Sequence, residues 1–459
     1  MARALLTRHA ALLVITLTIA CDAMESTEPR LRALSGVTED PATAALSAEV
    51  RVLASGRGIG PLPVTVKPRQ PLVRLGQMLA FDKVLSGNRD ISCMSCHVPR
   101  FGTGDGKSLS VGTGSSGLGP DRTHPAGVFI PRNAPPLYNL DAMRTLFWDG
   151  RVELDAHGNF RTPAGAQLTS EMTGVLEFGA ASALGLFPVT NRAEMRGEIG
   201  SNELAALADD DFTGIWQSLM TRLGQIPEYR AMFEAAYPTT KFGNMTFAHA
   251  SNAMAAFFIA ELNFNNTPWD RFLAGDNQAL SEKQLVGAKT FMTSRCSICH
   301  RGVTFSNQNF HNVAVAQIGP GQGNGIGGRD DFGRFNVTGS AGDLYRFRTT
   351  PLRNVELTGP FGHDGAFVSL REFIEHYSES DLKLQAFDPT SLESGLRSTL
   401  LANVADILAT RDPLMNGIVL TDEMVDQLMD YMSALTDPDA RTAKHAAPAR
   451  VPSGLPVDQ

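Results

Sequence analysis

Apolar positions recur at helical spacing in several well-separated stretches, which predicts a mainly helical protein with long connections. Pro71 to Phe81 carries such a stripe and ends at Ser86-Gly87-Asn88, a turn signal. Asp211 is placed to cap a helix whose stripe is Phe212, Ile215, Trp216, Leu219 and Leu223, with Trp216 in the core. Thr246 opens another, Phe247 to Leu262, which is apolar almost all round and is therefore expected to be buried. Ser281 with Gln284, and Ser369 with Glu372, form capping boxes. The second of these starts a helix with Leu370, Phe373, Ile374 and Tyr377 on one face. Thr421 caps the last helix, lined by Val425, Leu428, Met432 and Leu435. Two loops interrupt the pattern. Gly102 to Gly119 lacks the strand-turn-helix setting of a phosphate cradle, and Gly319 to Gly328 has no periodicity and is expected to be flexible.

With 459 residues and 43% hydrophobic content the chain can bury more than one core, and we expect two domains. The 43 glycines and 26 prolines are scattered, which suits a loop-rich helical protein built around large flat cofactors. A net charge of -8 supplies no basic patch, which argues against nucleic acid or an anionic lipid surface as a partner. Arg3 and Arg8 precede an apolar run from Ala10 to Ala20 that is too short to span a bilayer, so residues 1–20 read as an export signal. Cys21 follows Leu17-Thr18-Ile19-Ala20, similar to a lipoprotein cleavage box. That makes lipid anchoring through Cys21 the expectation, with an ordinary cleaved signal as the alternative. Residues 21–68 read as a tether with one short helix at most, and the Ala- and Pro-rich residues 438–459 as a disordered tail.

Chemistry enters with Cys93-Met94-Ser95-Cys96-His97 and its repeat, Cys296-Ser297-Ile298-Cys299-His300. Two thiols spaced for thioether bonds beside an imidazole are what covalent attachment of a c-type haem requires. A four-cysteine zinc site would place its pairs far closer together, and a thioredoxin-type motif needs a flanking βαβ pattern. Two covalently bound haems are therefore expected, with His97 and His300 each holding one iron. Each haem is given its own domain, residues 69–277 and 278–437, with the boundary near Gln278. Attachment outside the cytoplasmic membrane agrees with the export signal and suggests a periplasmic or exported protein.

Further motifs resemble the bacterial diheme cytochrome c peroxidases and the related MauG-type enzymes. They are Leu75-Gly76 to Asp82, Leu85-Ser86-Gly87, Arg132-Asn133-Ala134-Pro135, Phe147-Trp148-Asp149-Gly150-Arg151, Glu194-Met195, Pro351-Leu352-Arg353-Asn354 and His363-Asp364-Gly365. The resemblance runs from about Pro71 to Leu435. It implies two mainly helical cytochrome c-like domains and a peroxide-reactive first haem, with Glu194 as the carboxylate that moves protons and Pro188 as a pocket-shaping residue. Trp148 matches the tryptophan between the haems, and Asn133 with the carbonyls of Thr358 and Pro360 matches an inter-haem calcium site. Tyr377, fourteen residues past His363, stands where the electron-transfer peroxidases place an axial Met, as in MauG-type enzymes. Phenolate at an iron stabilises high oxidation states, whereas a thioether raises the potential. Tyr377 could instead be a core residue stacked on Phe373, and His376 is a competing ligand. No His lies between Val98 and Thr123, so the first haem is expected to be open unless His124 acts as a displaced ligand.

Within the family the sequence looks most like the MbnH-type diheme enzymes. The resemblance implies use of hydrogen peroxide at the open haem to form a high-valent diheme state that oxidises a partner protein, at a Trp side chain. The alternative is a peroxidase that reduces hydrogen peroxide to water with electrons from small redox proteins, followed by a non-enzymatic diheme carrier. Two departures stand out: the pocket Gln of MauG-type enzymes is Leu184 here, and Arg295 replaces the exit-route Trp, leaving Trp269 as a candidate.

Overall fold

The first core forms where two helices meet with almost no side chain between them. Helix Gln70–Phe81 crosses helix Phe247–Leu262 at Gly76, where a Cβ would lie 1.8 Å from the Ala253 carbonyl oxygen. Phe247–Leu262 can sit there because it is apolar on every face, and nearly all its residues are buried. Helices Phe212–Gly224 and Pro227–Ala236 close the core; Asp211 caps the former by accepting from the Gly214 amide at 2.8 Å. The second core repeats the device: helices Glu282–Thr293 and Asp422–Ala434 cross at Gly287, whose Cβ would lie 2.0 Å from the Gln427 carbonyl oxygen. In each core the first helix of the crossing pair leads into a Cys-x-x-Cys-His segment.

The computed structural model describes residues 40–442 and 447–458. The expectations for residues 1–20 and for Cys21 lie outside the described residues. The protein is mainly helical and loop-rich, as the periodicity predicts. Its few strands are short. β1 (Thr145–Leu146), β2 (Val152–Leu154) and β3 (Phe160–Arg161) form an antiparallel meander, with Leu146 opposite Val152 and Leu154 opposite Phe160. β4 (Phe310–His311) pairs with β5 (Phe347–Arg348). No helix among the described residues is long and apolar enough to cross a membrane.

Both ends of the chain depart from the sequence reading. Part of the expected tether is helix Pro41–Gly56, which packs on Glu282–Thr293 and buries Val50 and Ala54 in the second core. The expected disordered tail is ordered over residues 447–458 and returns to the first core, burying Val451. Composition misled because few residues do the docking. Ser453 donates its hydroxyl to the buried Asp82 carboxylate at 2.6 Å, and the same carboxylate accepts from Tyr229 Oη at 2.7 Å. Asp458 pairs with Lys83 at 2.6 Å and accepts from Ser95 inside the first Cys-x-x-Cys-His segment. A chain ending at Ala446 is expected to lose roughly 3 kcal/mol or more, from one buried apolar side chain and a charge-assisted hydrogen bond. A lower denaturant midpoint for the first core checks this; an unchanged midpoint would make the tail a passive passenger.

The loop Gly319 to Gly328, expected to be flexible, is a closed turn. Asn324 and Asp330 exchange backbone hydrogen bonds at 3.3 and 3.0 Å, and glycines at positive φ let the chain fold back on itself. The core changes hands before Gln278: Leu262 packs in the first core while Trp269 and Phe272 pack in the second.

Candidate functional site

Two cavities open beside the two Cys-x-x-Cys-His segments. In the first, Ser92 and Ser95 form a capping box that starts the single turn Cys93–Cys96, and His97 follows. Its Nδ1 lies 2.8 Å from the Thr103 carbonyl oxygen. The second segment does the same, with His300 Nδ1 3.0 Å from the Phe305 carbonyl oxygen. A carbonyl only accepts, so each Nδ1 carries the proton and each Nε2 keeps its lone pair for a metal. Burial lowers the pKa of His97 and takes His300 down to about 4, which keeps both imidazoles neutral, the form that ligates. Cys93, Cys96, Cys296 and Cys299 form no disulfide. Burial holds them as thiols, with Cys93 and Cys299 pushed up to about 11 and Cys96 to about 12.

The first cavity is lined by Cys93, Cys96, His97, Trp148, Arg151, Leu184, Pro188 and Glu194. Glu194 rides on a π-turn, Arg192–Arg196, opened by Asn191, whose side chain accepts from the Glu194 amide at 3.0 Å. Burial raises the Glu194 carboxyl above its ordinary range, and the charges of Arg151 and Arg132 pull it back in part. Arg151 Nη2 lies 3.6 Å from Glu194 Oε1, and its guanidinium sits 3.9 Å over the Phe147 ring. The cavity wall thus offers a carboxyl poised to exchange a proton beside a fixed cation.

The second cavity is lined by Cys296, Cys299, His300, Arg348, His363 and Tyr377, with Met415 and Met432 also at its wall. Tyr377 ends helix Leu370–His376 and packs against Phe373 with the rings tilted and their centres 5.3 Å apart. Burial raises its phenol pKa. His376 points elsewhere and is hydrogen-bonded through Nε2 to the Val313 carbonyl at 2.8 Å. Arg348 is buried and its Nη1 has no partner among protein atoms, while burial lowers its pKa to about 10. Its Nε donates to the Phe147 carbonyl at 3.0 Å, and the unpaired Nη1 of a buried cation at the cavity wall calls for an acceptor there.

Trp148 and Asn133 line both cavities. Trp148 stands in the turn between β1 and β2, where Phe147 and Gly150 both have positive φ. Its indole N–H donates to the Asn133 carbonyl at 2.9 Å. Its own carbonyl accepts from the Arg348 amide of β5 at 2.8 Å. Asn133 turns its amide nitrogen to the carbonyls of Lys107 and Ser108, at 2.9 and 3.2 Å. That orientation leaves its side-chain oxygen as the acceptor end of the amide. Thr358 and Pro360 line the same cavity.

A buried ion network explains why Arg132 and Asp149 occur in the motifs. Arg132 forks onto Asp331 at 2.7 and 2.8 Å and reaches Asp149 at 2.6 Å. Asp149 is held at about 2: burial alone would raise it, and the charges and hydrogen bonds of Arg132 and Arg151 together outweigh that. Arg334 donates to the carbonyls of Asp149 and Gly150 and pairs with Glu153 at 2.7 Å. The sequence reading did not find Asp331 and Arg334; both follow the Gly-rich loop, in the charged cluster Arg329-Asp330-Asp331 to Arg334 that was the available signal. It also missed His311, whose Nδ1 lies 2.7 Å from Asp412 at the rim of the second cavity. Two residues held as alternatives lie elsewhere. His124 accepts from the Ala126 amide at 3.1 Å and does not line the first cavity. Trp269 is fully buried in the second core against Phe272 and Tyr431.

Residues 70–278 match the family described as di-haem cytochrome c peroxidase. The cytochrome c551 peroxidase of Pseudomonas aeruginosa is 30% identical over 325 residues, covering 70% of this chain and 75% of the relative. The chain belongs to the di-haem cytochrome c peroxidase family. A second relative of this peroxidase-family chain is the methylamine utilization protein MauG of Methylophilus methylotrophus, 26% identical, covering 75% of this chain and 82% of the relative. A crystal structure of a MauG-like protein associated with microbial copper homeostasis shares the fold, with TM-score 0.57 and 24% identity over 85% of this chain and 97% of that one. Family membership makes this a haem-dependent oxidoreductase with two haems.

The residues fit that cofactor. Both cavities are lined mainly by apolar side chains, with a few polar groups among them. Each offers, on one turn, two thiols beside a neutral imidazole with a free Nε2. Arg348 supplies the positive charge that a haem carboxylate needs.

Proposed function

We propose that this chain uses hydrogen peroxide at the first cavity and passes the oxidising equivalents through Trp148 to a tryptophan side chain of a partner protein. The haems, attached through Cys93, Cys96, Cys296 and Cys299 and held by His97 and His300, supply a redox-active iron in each cavity. Glu194 takes a proton from bound peroxide at its carboxylate and returns it to the departing oxygen. Arg151 holds that carboxylate in place and offsets negative charge beside it. Pro188 and Leu184 keep the pocket narrow and apolar. Tyr377 is the second ligand of the second iron, and Asn133 with the carbonyls of Thr358 and Pro360 holds a calcium ion between the cavities. Each haem has its own domain, and the chain passes from the first to the second between Leu262 and Trp269. Export to the periplasm, with anchoring through Cys21, completes the reading.

The observation that carries this reading is Tyr377 at the second cavity wall, with the neighbouring His376 committed to Val313. A second reading, reduction of peroxide with electrons from small redox proteins, is favoured by Met415 and Met432 at the same wall, since a thioether ligand would suit an electron-accepting haem. The two are separated by electron paramagnetic resonance of the oxidised protein. One high-spin and one low-spin haem are expected, the latter with oxygen rather than sulfur ligation, and peroxide should react without prior reduction. Two low-spin haems, or a thioether signature at the second, would favour the peroxide-reducing enzyme.

A further inference from the structure

The π-turn that carries Glu194 is wedged on its inner side and tied on its outer side. Inside, Thr113 N donates to the Glu194 carbonyl at 3.0 Å and Gly87 N to the Met195 carbonyl at 2.7 Å. The backbones touch so closely that a Cβ on Gly87 would lie 1.9 Å from the Arg196 carbonyl oxygen, and one on Gly112 1.7 Å from that of Ala193. These two segments flank the first Cys-x-x-Cys-His motif, so the turn is referenced directly to the first cavity. Outside, the tie is electrostatic. Arg192 and Arg196 stand two residues to either side of Glu194, and both reach the same oxygen, Asp209 Oδ1. Arg192 donates through Nε at 2.7 Å and Arg196 through Nη2. Of their remaining donors, Arg196 Nε has no partner among protein atoms, and the others reach nearby backbone carbonyls. Arg192 Nη1 meets Ala205 at 3.1 Å, and Arg196 Nη1 meets Ala208 at 3.1 Å.

The burial of the partners differs sharply. The Arg196 side chain is 1% exposed and Asp209 is 73% exposed. A buried guanidinium keeps its place only with a counter-charge. Without Asp209, two cations would flank Glu194 with that carboxylate as the nearest remaining anion on the turn, and they would compete with the cavity for it.

We propose that Asp209, a surface carboxylate outside both cavities, is a positioning residue that fixes Glu194 for proton transfer by clamping Arg192 and Arg196. This rests on the assignment of Glu194 as the acid–base group. The haem-loaded full chain is tested with Asp209→Asn, Asp209→Glu, Glu194→Gln and the Asp209→Asn/Glu194→Gln double variant. The readout is the single-turnover rate with hydrogen peroxide as a function of pH, with both haem spectra as a check on folding. Asp209→Asn is expected to slow the reaction on the order of tenfold, the scale of a small misplacement of a catalytic group. The acid limb of the pH profile should move, because Glu194 then faces Arg192 and Arg196 in addition to Arg151, Arg132 and Asp149. Asp209→Glu should restore most of the rate. In the Glu194→Gln background Asp209→Asn should have no further effect, since both changes act on one proton transfer.

An Asp209→Asn rate and pH profile equal to the parent's would overturn the inference. So would an equal slowing with and without Glu194, which would mark a general effect on the fold. If Asp209→Asn does not fold, Arg192→Lys keeps the charge, loses the fork, and should give the same pattern in smaller measure; parent-like kinetics there would overturn the clamp. A parent-like rate for Glu194→Gln alone would instead remove the assignment on which the clamp rests.

Discussion

Glu194→Gln is expected to leave both haems in place and slow the reaction with hydrogen peroxide by roughly a hundredfold or more, the scale of a lost general acid–base group. The substitution is nearly isosteric, and the Glu194 side chain is 20% exposed at the cavity wall, so it leaves no void and strains no neighbour. What it removes is the exchangeable proton and the negative charge beside Arg151. The pH dependence follows from the same geometry. Burial raises the carboxyl, with Arg151 opposing, so the ionised form that accepts the first proton is lost at a higher pH than for an ordinary Glu. In the parent the rate should fall as pH drops through that raised pKa, and the Gln variant should show no such limb. A rate within a factor of two of the parent, measured by stopped-flow optical changes, would take Glu194 out of the chemistry.

What the chain discloses in one dimension is what local rules control. The helix starts at Asp211, Thr246, Ser281 and Thr421 were legible because a cap and a stripe lie within a few residues of each other. The Cys-x-x-Cys-His segments were legible because attachment chemistry needs its three side chains on one turn. The Ser369 box was half right: its hydroxyl accepts from the Glu372 amide at 3.2 Å, with no return bond recorded from Glu372. The network around Arg132 was not legible, since its forked partner Asp331 lies 199 residues away and only the folded chain brings them together. The same holds for the ends of the chain. Helix Pro41–Gly56, which buries only Ser47, Val50 and Ala54, and the short segment around Val451 each dock on a core that lies far away in the sequence. The Gly-rich loop misled for a different reason: glycines at positive φ built a hydrogen-bonded turn, where composition alone reads as freedom.

The Tyr377→Met variant should keep the fold and both haems while raising the second-haem potential and abolishing oxidation of a partner protein. The side chain faces the second cavity from the end of helix Leu370–His376, packed against Phe373, and its neighbour His376 is occupied with the Val313 carbonyl. In the protein alone burial holds the phenol neutral, so it would ionise only on meeting a cation strong enough to take the place of its proton. A ferric iron held by His300 is such a cation. Phenolate then donates charge and keeps the potential low, and a thioether in its place withdraws that support; axial ligands are among the groups that set haem potentials over a range of ~0.8 V. A higher second-haem potential leaves that iron less able to share oxidising equivalents with the first through Trp148, while reduction of peroxide by small donors should survive. Tyr377→Phe serves as the companion, because it keeps the packing against Phe373 and loses only the oxygen; it should also raise the potential. If neither variant moves the potential, Tyr377 is a packing residue of the second core. Met415 or Met432 would then be the ligand to test, and the peroxide-reducing reading would be the better one.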